Sequence, residues 1–289
     1  MVGFSHESDD LLHYFNDLNV PGRIIDLDES AFDYTQRAEL ALIVMQAVNA
    51  LYGDSHRRER LRLNMICWNA KRILGDIVFI VTAYWMASGH AMTAVFNGYY
   101  HLSCVAYAIV RNASIGKMSN VDIRSLLKQF VVMVYGDDII MRTPDNNDWT
   151  FTRLLLGLRE CGLNPTPASK TGQVIEYHND CYTASFLKRR IMIHNDAVYL
   201  VRELDDIYHM LDWIKKKNDS MAFYIQIAEA MARDIAPYGD DEFERFLAYF
   251  EQVIPTIRTS IKSRDQLLAS FLIGERPTLC YGETPYSSQ

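Results

Sequence analysis

The stretch that most restricts how this chain can fold is residues 131–142, VVMVYGDDIIMR. Two β-branched and aliphatic runs flank Gly136-Asp137-Asp138, a pattern that predicts a hairpin carrying two adjacent carboxylates in its turn. Like charges side by side repel, and hairpin stability asks for no such pair. A divalent cation removes the repulsion, because hard oxygen ligands on a rigid turn suit Mg²⁺, which takes one or two carboxylates and leaves the rest to water and phosphate. The alternative is a solvated Asp-rich turn, and the rest of the chain decides between them.

At 289 residues the chain can bury the core of one large domain or two smaller ones, and its 49% hydrophobic and 22% charged residues exclude a disordered tail. The net charge of -7 has the wrong sign for gripping nucleic acid by bulk electrostatics. Local basic patches would have to carry any such role. Arg57, Arg58, Arg60 and Arg62 form one, either a solvated loop or a phosphate contact, and residues 188–190 form a second. Cys67, Cys104, Cys161, Cys181 and Cys280 are odd in number and lack a C-x-x-C, which fits free thiols in a reducing compartment. The opening MVGFSHESDD shows no signal peptide. Residues 77–110 hold no Asp, Glu, Lys or Arg, but Ser88, Gly89, His90, Thr93, Asn97, Gly98 and His101 make a bilayer crossing too costly, so no transmembrane segment is expected.

Periodicity predicts a strand over 23–27 entering an acidic patch of Asp26, Asp28, Glu29 and Asp33. It predicts a helix over 34–52, a buried strand over 77–82, and a helix from Ser88-Gly89 to about Asn112 that places Thr93 and Asn97 on one face. Asn147-Asp148 is expected to cap a helix over 149–161 that stops at Gly162. Residues 163–172 read as a loop with Lys170 as its single cation. A second hairpin is expected over 181–187 and 191–194, joined through Lys188-Arg189-Arg190. Beyond Leu200, residues 204–217, 221–235 and 242–254 show helical spacing, and 274–289 form a Pro-, Gly- and Ser-rich tail. The fold class expected is α+β, with a mixed domain over 1–200 and a helical one over 201–289.

Five groups then stand in order: Asp28 and Asp33 in D-x-x-x-x-D; Ser88-Gly89, Thr93 and Asn97 in SG-x-x-x-T-x-x-x-N; Tyr135-Gly136-Asp137-Asp138; Lys170 in TPASKTG; and Phe186-Leu187-Lys188-Arg189. This order resembles motifs A to E in the palm of viral RNA-dependent RNA polymerases, closely the picornavirus-like group, over about residues 2–194. The remainder resembles the thumb by position only. Each motif alone is weak; five in sequence are specific.

The resemblance implies a right-hand polymerase, with an antiparallel palm and α-helical thumb, making RNA by nucleotidyl transfer to a primer 3′-hydroxyl. Such chemistry needs two Mg²⁺ or Mn²⁺ ions held by carboxylates from separate strands, here Asp28, Asp137 and Asp138. It implies Lys170 as general acid toward pyrophosphate, otherwise a surface loop lysine. It implies Asp33, Ser88, Gly89, Thr93 and Asn97 at the incoming ribose, and Phe186, Leu187, Lys188 and Arg189 at the primer end. RNA template and primer, nucleoside triphosphates and other viral replication proteins are the expected partners, at membrane-associated complexes in the host cytoplasm. Reverse transcriptase-like synthesis and a noncatalytic RNA-binding scaffold are the rival readings.

Departures from the family pattern also carry expectations. Motif A reads DESAFD, where Glu29 is a third carboxylate that either perturbs metal preference or faces solvent, and Ala87 stands where many relatives carry Pro. With Asp28 so early, the family's N-terminal fingers and basic motif F have no room, so the chain is expected to be the C-terminal part of a longer polymerase, weak or inactive alone.

Overall fold

A computed structural model describes residues 10–53, 55–68, 71–74, 77–80, 93–113, 120–144, 149–168, 173–195, 197–213 and 220–272. The architecture is α+β with antiparallel sheets, in agreement with the sequence. Two compact units divide it, one built on Asp17–Leu187, the other on Lys188–Gln289 with Phe4–Asn16. No described helix is long and apolar enough to cross a membrane.

The chain runs through α1 (Asp10–Leu18), β1 (Ile24–Glu29), α2 (Phe32–Thr35), α3 (Ala38–Ala50), α4 (Arg57–Trp68), the antiparallel pair β2 (Lys71–Leu74) and β3 (Ile77–Ile80), α5 (Thr93–Ala113) and α6 (Asn120–Leu127). There follow β4 (Val131–Tyr135), β5 (Asp138–Arg142), α7 (Phe151–Glu160), β6 (Pro165–Pro167) and β7 (Ser185–Phe186). Strands β4-β5-β1-β6 form one antiparallel sheet, in that order. The two prolines of β6 fit its place at the sheet edge, where a missing N–H costs no ladder bond.

Side chains alternate across this sheet. Ile25, Leu27, Ile139 and Met141 face the core, where Phe96, Tyr100, Cys104 and Ala108 present one stripe of α5 at i, i+4 spacing. Each such aliphatic side chain contributes roughly 1.5–3 kcal/mol by leaving water. Helix α7 comes so close to α5 that a Cβ on Gly157 would lie 2.6 Å from the Cα of Ala108. Glycine is therefore required there by contact.

Several sequence expectations are corrected. The helix expected over 34–52 is broken at Gln36-Arg37, both extended, because Arg37 N–H donates to Tyr100 Oη at 2.7 Å while Gln36 turns inward. Tyr100 Oη in turn donates to Cys161 O at 3.3 Å, so one buried hydroxyl ties the break to the end of α7. The cap of α7 is Thr150, which accepts from Arg153 N–H at 3.2 Å; Asn147-Asp148 lie outside the described residues. Gly162, with φ 92, ends that helix as expected. Part of the loop expected over 163–172 is strand β6, drawn into pairing by β1. The arginine cluster is helical, and Arg60 is committed to Asn49 Oδ1 (2.6 Å), Gly53 O (2.7 Å) and Ser55 O (2.5 Å), whereas Arg57, Arg58 and Arg62 are exposed. The Pro-, Gly- and Ser-rich tail lies outside the described residues.

In the second unit β8 (Arg189–His194) pairs with β9 (Ala197–Val201), a strand the sequence reading missed. Helices α8 (Leu204–Tyr208), α9 (Met221–Ile235), α10 (Asp240–Glu251), α11 (Ile257–Ser260) and α12 (Arg264–Leu272) follow, with short 3₁₀ turns at His209–Trp213 and Ala236–Tyr238. Tyr199, Met231, Ile235, Phe246 and Ile257 share their core.

Candidate active site

Strand register brings the acidic groups together. In β1 and β5 Asp28 stands directly opposite Asp138, and Asp138 stands opposite Tyr135 of β4. On the other side of Asp28 lies Thr166 of β6, whose hydroxyl donates to Asp28 O at 3.0 Å. Residues directly opposite share a face with Cβ atoms about 4.5–5.5 Å apart, so Asp28 and Asp138 point the same way, across the sheet from the core. Two anions so placed destabilise the pair.

The turn itself is built by glycine. Gly136 has φ 63 and Asp137 does not share that sign, the arrangement of a II′ turn with glycine at its first central position. Asp137 is exposed at the tip, and Asp28 and Asp138 are half-buried. Among the described residues no three His, Cys, Asp or Glu side chains converge tightly enough to hold a metal unaided. The donor set still fits Mg²⁺ or Mn²⁺, because all of it is hard oxygen and such ions take only one or two carboxylates before water and phosphate complete the shell.

A second cluster joins β1's continuation to α5. Asn97 Nδ2 donates to Asp33 Oδ1 at 2.8 Å, and Asn97 Oδ1 accepts from Gln36 Nε2 at 2.7 Å. A carboxylate only accepts, so Asn97 must turn its NH₂ toward Asp33, and Gln36 holds the other end of the amide. Thr93 lies one turn before Asn97 on α5. Ser88, Gly89 and Lys170 lie outside the described residues.

At the other end of β1, Asp26 shares the face of Asp28 but is spent structurally. Its Oδ2 accepts from Ser185 N–H at 2.7 Å and its Oδ1 lies 3.2 Å from His178 Nε2. That anchors Ser185-Phe186 to the sheet. Leu187 and Lys188 follow with φ 57 and 56, so the reversal expected at 188–190 falls at these two residues. Phe186 is buried and Lys188 exposed. Arg189 is committed elsewhere: its guanidinium donates to Leu200 O at 3.1 Å and to Asp234 Oδ1 at 3.0 Å.

Glu29 neither joins Asp28, Asp137 and Asp138 nor faces solvent. It is buried on the opposite side of β1 from Asp28, with its Oε1 3.2 Å from Nε2 of His101. Burial pushes its carboxyl above the usual range, with His101 pulling the other way. Sequence reasoning missed Gln36 and His101, although the i, i+4 step from Asn97 to His101 was a signal that both face the same elements.

The family model that matches residues 1–254 is described as viral RNA-dependent RNA polymerase. The RNA1 polyprotein of Tomato ringspot virus (isolate raspberry) is 24% identical over 221 residues, covering 75% of this chain and 10% of the polyprotein. The genome polyprotein of Avian encephalomyelitis virus (strain L2Z) is 26% identical over 163 residues, 55% of this chain and 7% of its own length. That of Rice tungro spherical virus (strain Vt6) is 23% identical over 247 residues, 81% of this chain and 7% of its own length. The chain thus spans a tenth or less of each of these polyproteins.

Proposed function

This chain belongs to the viral RNA-dependent RNA polymerase family, and from that premise we propose that it carries the nucleotidyl-transfer centre of an RNA-directed RNA polymerase, palm in its first unit and thumb in its second. The observation that carries the proposal is the register that sets Asp28 opposite Asp138, the residue that follows Asp137. Asp28, Asp137 and Asp138 would hold two divalent ions, Mg²⁺ or Mn²⁺. When bound, these lower the pKa of the primer 3′-hydroxyl and neutralise charge on the leaving pyrophosphate.

In the reaction the 3′-hydroxyl gives up its proton to solvent and its oxygen bonds the α-phosphorus of a nucleoside triphosphate as the bond to pyrophosphate breaks. Lys170 gives the departing pyrophosphate a proton. Asp33 and Asn97, with Ser88, Gly89 and Thr93, bind the ribose; a 2′-hydroxyl both donates and accepts, and its absence leaves polar groups unpaired. Phe186, Leu187 and Lys188 steady the primer end, with Arg189 supporting them from its bond to Asp234. RNA template, primer and triphosphates are the substrates, and other replication proteins at cytoplasmic membranes are the proposed surroundings.

The test is single-nucleotide extension of a primed RNA by the polymerase that carries this chain. Asp28→Ala and Asp137→Ala should each abolish incorporation, and near-normal turnover after either overturns the assignment. Preference for deoxynucleotides would instead favour reverse transcription. Absence of Asp137-dependent Mn²⁺ binding would favour a scaffold.

A further inference from the structure

Glu29 and His101 are both fully buried, so neither can touch RNA or nucleotide, yet together they reach the turn that carries Asp137. His101 Nδ1 lies 3.2 Å from the carbonyl oxygen of Gly136, and His101 Nε2 lies 3.2 Å from Glu29 Oε1, out of line for a full hydrogen bond. A carbonyl oxygen only accepts, so Nδ1 carries a hydrogen and donates it. The other ring nitrogen is left to Glu29, which fixes the tautomer and the plane of the ring. Phe32 lies against the imidazole, with ring centroids 5.0 Å apart, and restricts it further.

Stability does not account for this pair. Apolar side chains of similar volume commonly pack a core as well as a buried ionisable pair does, or better. The contacts instead form a chain from the back of Asp28 to the back of Asp137. Glu29 is the residue after Asp28 on β1, and Gly136 is the residue before Asp137. The orientation of the Gly136 carbonyl sets the plane of the peptide that begins Asp137, and glycine at φ 63 does little to restrain it.

We propose that His101, oriented by Glu29, is a positioning residue that locks the Gly136 carbonyl and so holds Asp137 in register with Asp28 for ion binding. This rests on the function proposed above. The pair works from the core side of the sheet, one turn of α5 beyond Asn97.

Two near-isosteric substitutions separate the contacts. In His101→Asn the amide nitrogen takes the place of Nδ1 and keeps the donor to Gly136; in His101→Gln it takes the place of Nε2 and keeps only the contact with Glu29. The polymerase that carries this chain is assayed for kcat and KM, and its Mn²⁺ affinity is titrated by electron paramagnetic resonance without nucleotide. His101→Gln should lower Mn²⁺ affinity and kcat by about 10–100-fold with KM for nucleotide within about threefold, while His101→Asn stays closer to wild type. Glu29→Gln, which keeps a polar group beside Nε2, should recover most of what Glu29→Leu loses. Equal losses in the two His101 variants, or none in either, overturn the inference. A wild-type enzyme that incorporates nothing would fail the proposed function instead; an active wild type, a dead Asp137→Ala and an unaffected His101→Gln would fail this inference alone.

Discussion

Replacing Gln36 with Leu should cost ribose selectivity more than it costs the fold. The Gln36 amide is buried and donates at 2.7 Å to Asn97 Oδ1, which leaves Asn97 Nδ2 to donate at 2.8 Å to Asp33. Without Gln36 the Asn97 oxygen has no designated partner, at a stability cost of about 1–3 kcal/mol for an unmet buried acceptor. Its amide is then free to turn its oxygen toward the Asp33 carboxylate, where the two repel. A hydrogen bond to a charged group contributes roughly 1.5–3 kcal/mol, and 1.4 kcal/mol is about tenfold in a ratio. The preference for ATP over dATP, taken as the ratio of kcat/KM values in primer extension, should therefore fall by about 10–100-fold. Gln36→Glu should be worse, because a carboxylate there only accepts and forces the unfavourable amide orientation. A folded Gln36→Leu enzyme with wild-type selectivity would refute the assignment of Asn97 and Asp33 to the ribose.

Gly157→Ala drives a Cβ to 2.6 Å from Ala108 Cα and 2.8 Å from its Cβ, so thermal or urea unfolding should show a loss of about 1–3 kcal/mol; an unchanged midpoint would mean α5 and α7 separate easily. Glu176 accepts from Thr152 N–H at 3.0 Å and from Thr152 Oγ1 at 2.5 Å, bonds that hold its pKa below the ordinary 4.5. Its contribution is present above that value and disappears as pH falls through the lower folded one, so Tm of wild type should exceed that of Glu176→Gln at pH 7 and converge with it in acid; a pH-independent gap would contradict the linkage. Lys188→Gly relieves a left-handed lysine, so stability should stay within about 1 kcal/mol of wild type. RNA affinity should nonetheless weaken, with the slope of log affinity against log salt reduced by about one, and an unchanged slope in filter binding would remove Lys188 from the primer contact.

The β4-β5 hairpin was legible in the sequence because two β-branched and aliphatic runs flank a glycine turn, and both survive in the structure. Helices α9 and α10 were legible from apolar residues at helical spacing, whereas the helix expected from Leu204 is a short α8 followed by a 3₁₀ turn, and α11 and α12 were not anticipated. Gln36 was not legible. Its neighbourhood carries helical periodicity, and only two distant side chains, Tyr100 and Asn97, pull it out of the helix. Thr150 as the cap of α7 was not legible either, because Phe151 N–H is taken by the distant Glu176 O, fixing where α7 begins. Arg189 looked like an RNA contact because its commitment to Asp234 depends on a residue far along the chain. His101 gave only its spacing, since its partner Glu29 looked like one more member of an acidic patch.

That patch is better understood through the pleat of β1. Consecutive side chains on a strand go to opposite faces, so Asp26 and Asp28 fall on one side and Glu29 on the other. Asp26 meets Ser185 N–H and His178, Glu29 meets His101, and Asp28 is the acid of the strand that stands opposite Asp138. A slip of one residue would exchange the faces, placing Asp28 against the core and Glu29 against Asp138. The slipped strand would then bury Asp28 in the place of Leu27, bring Ser30 to the place of Glu29 at His101, and turn Leu27 to the face of Asp138. Leu27 and the Glu29–His101 contact thus oppose the slip together, one by apolar burial and the other by leaving a histidine without its partner. A strand with three acids in four positions would otherwise be poorly fixed in register. The costly buried glutamate is therefore also a reason that Asp28, and no other acid of β1, stands opposite the turn.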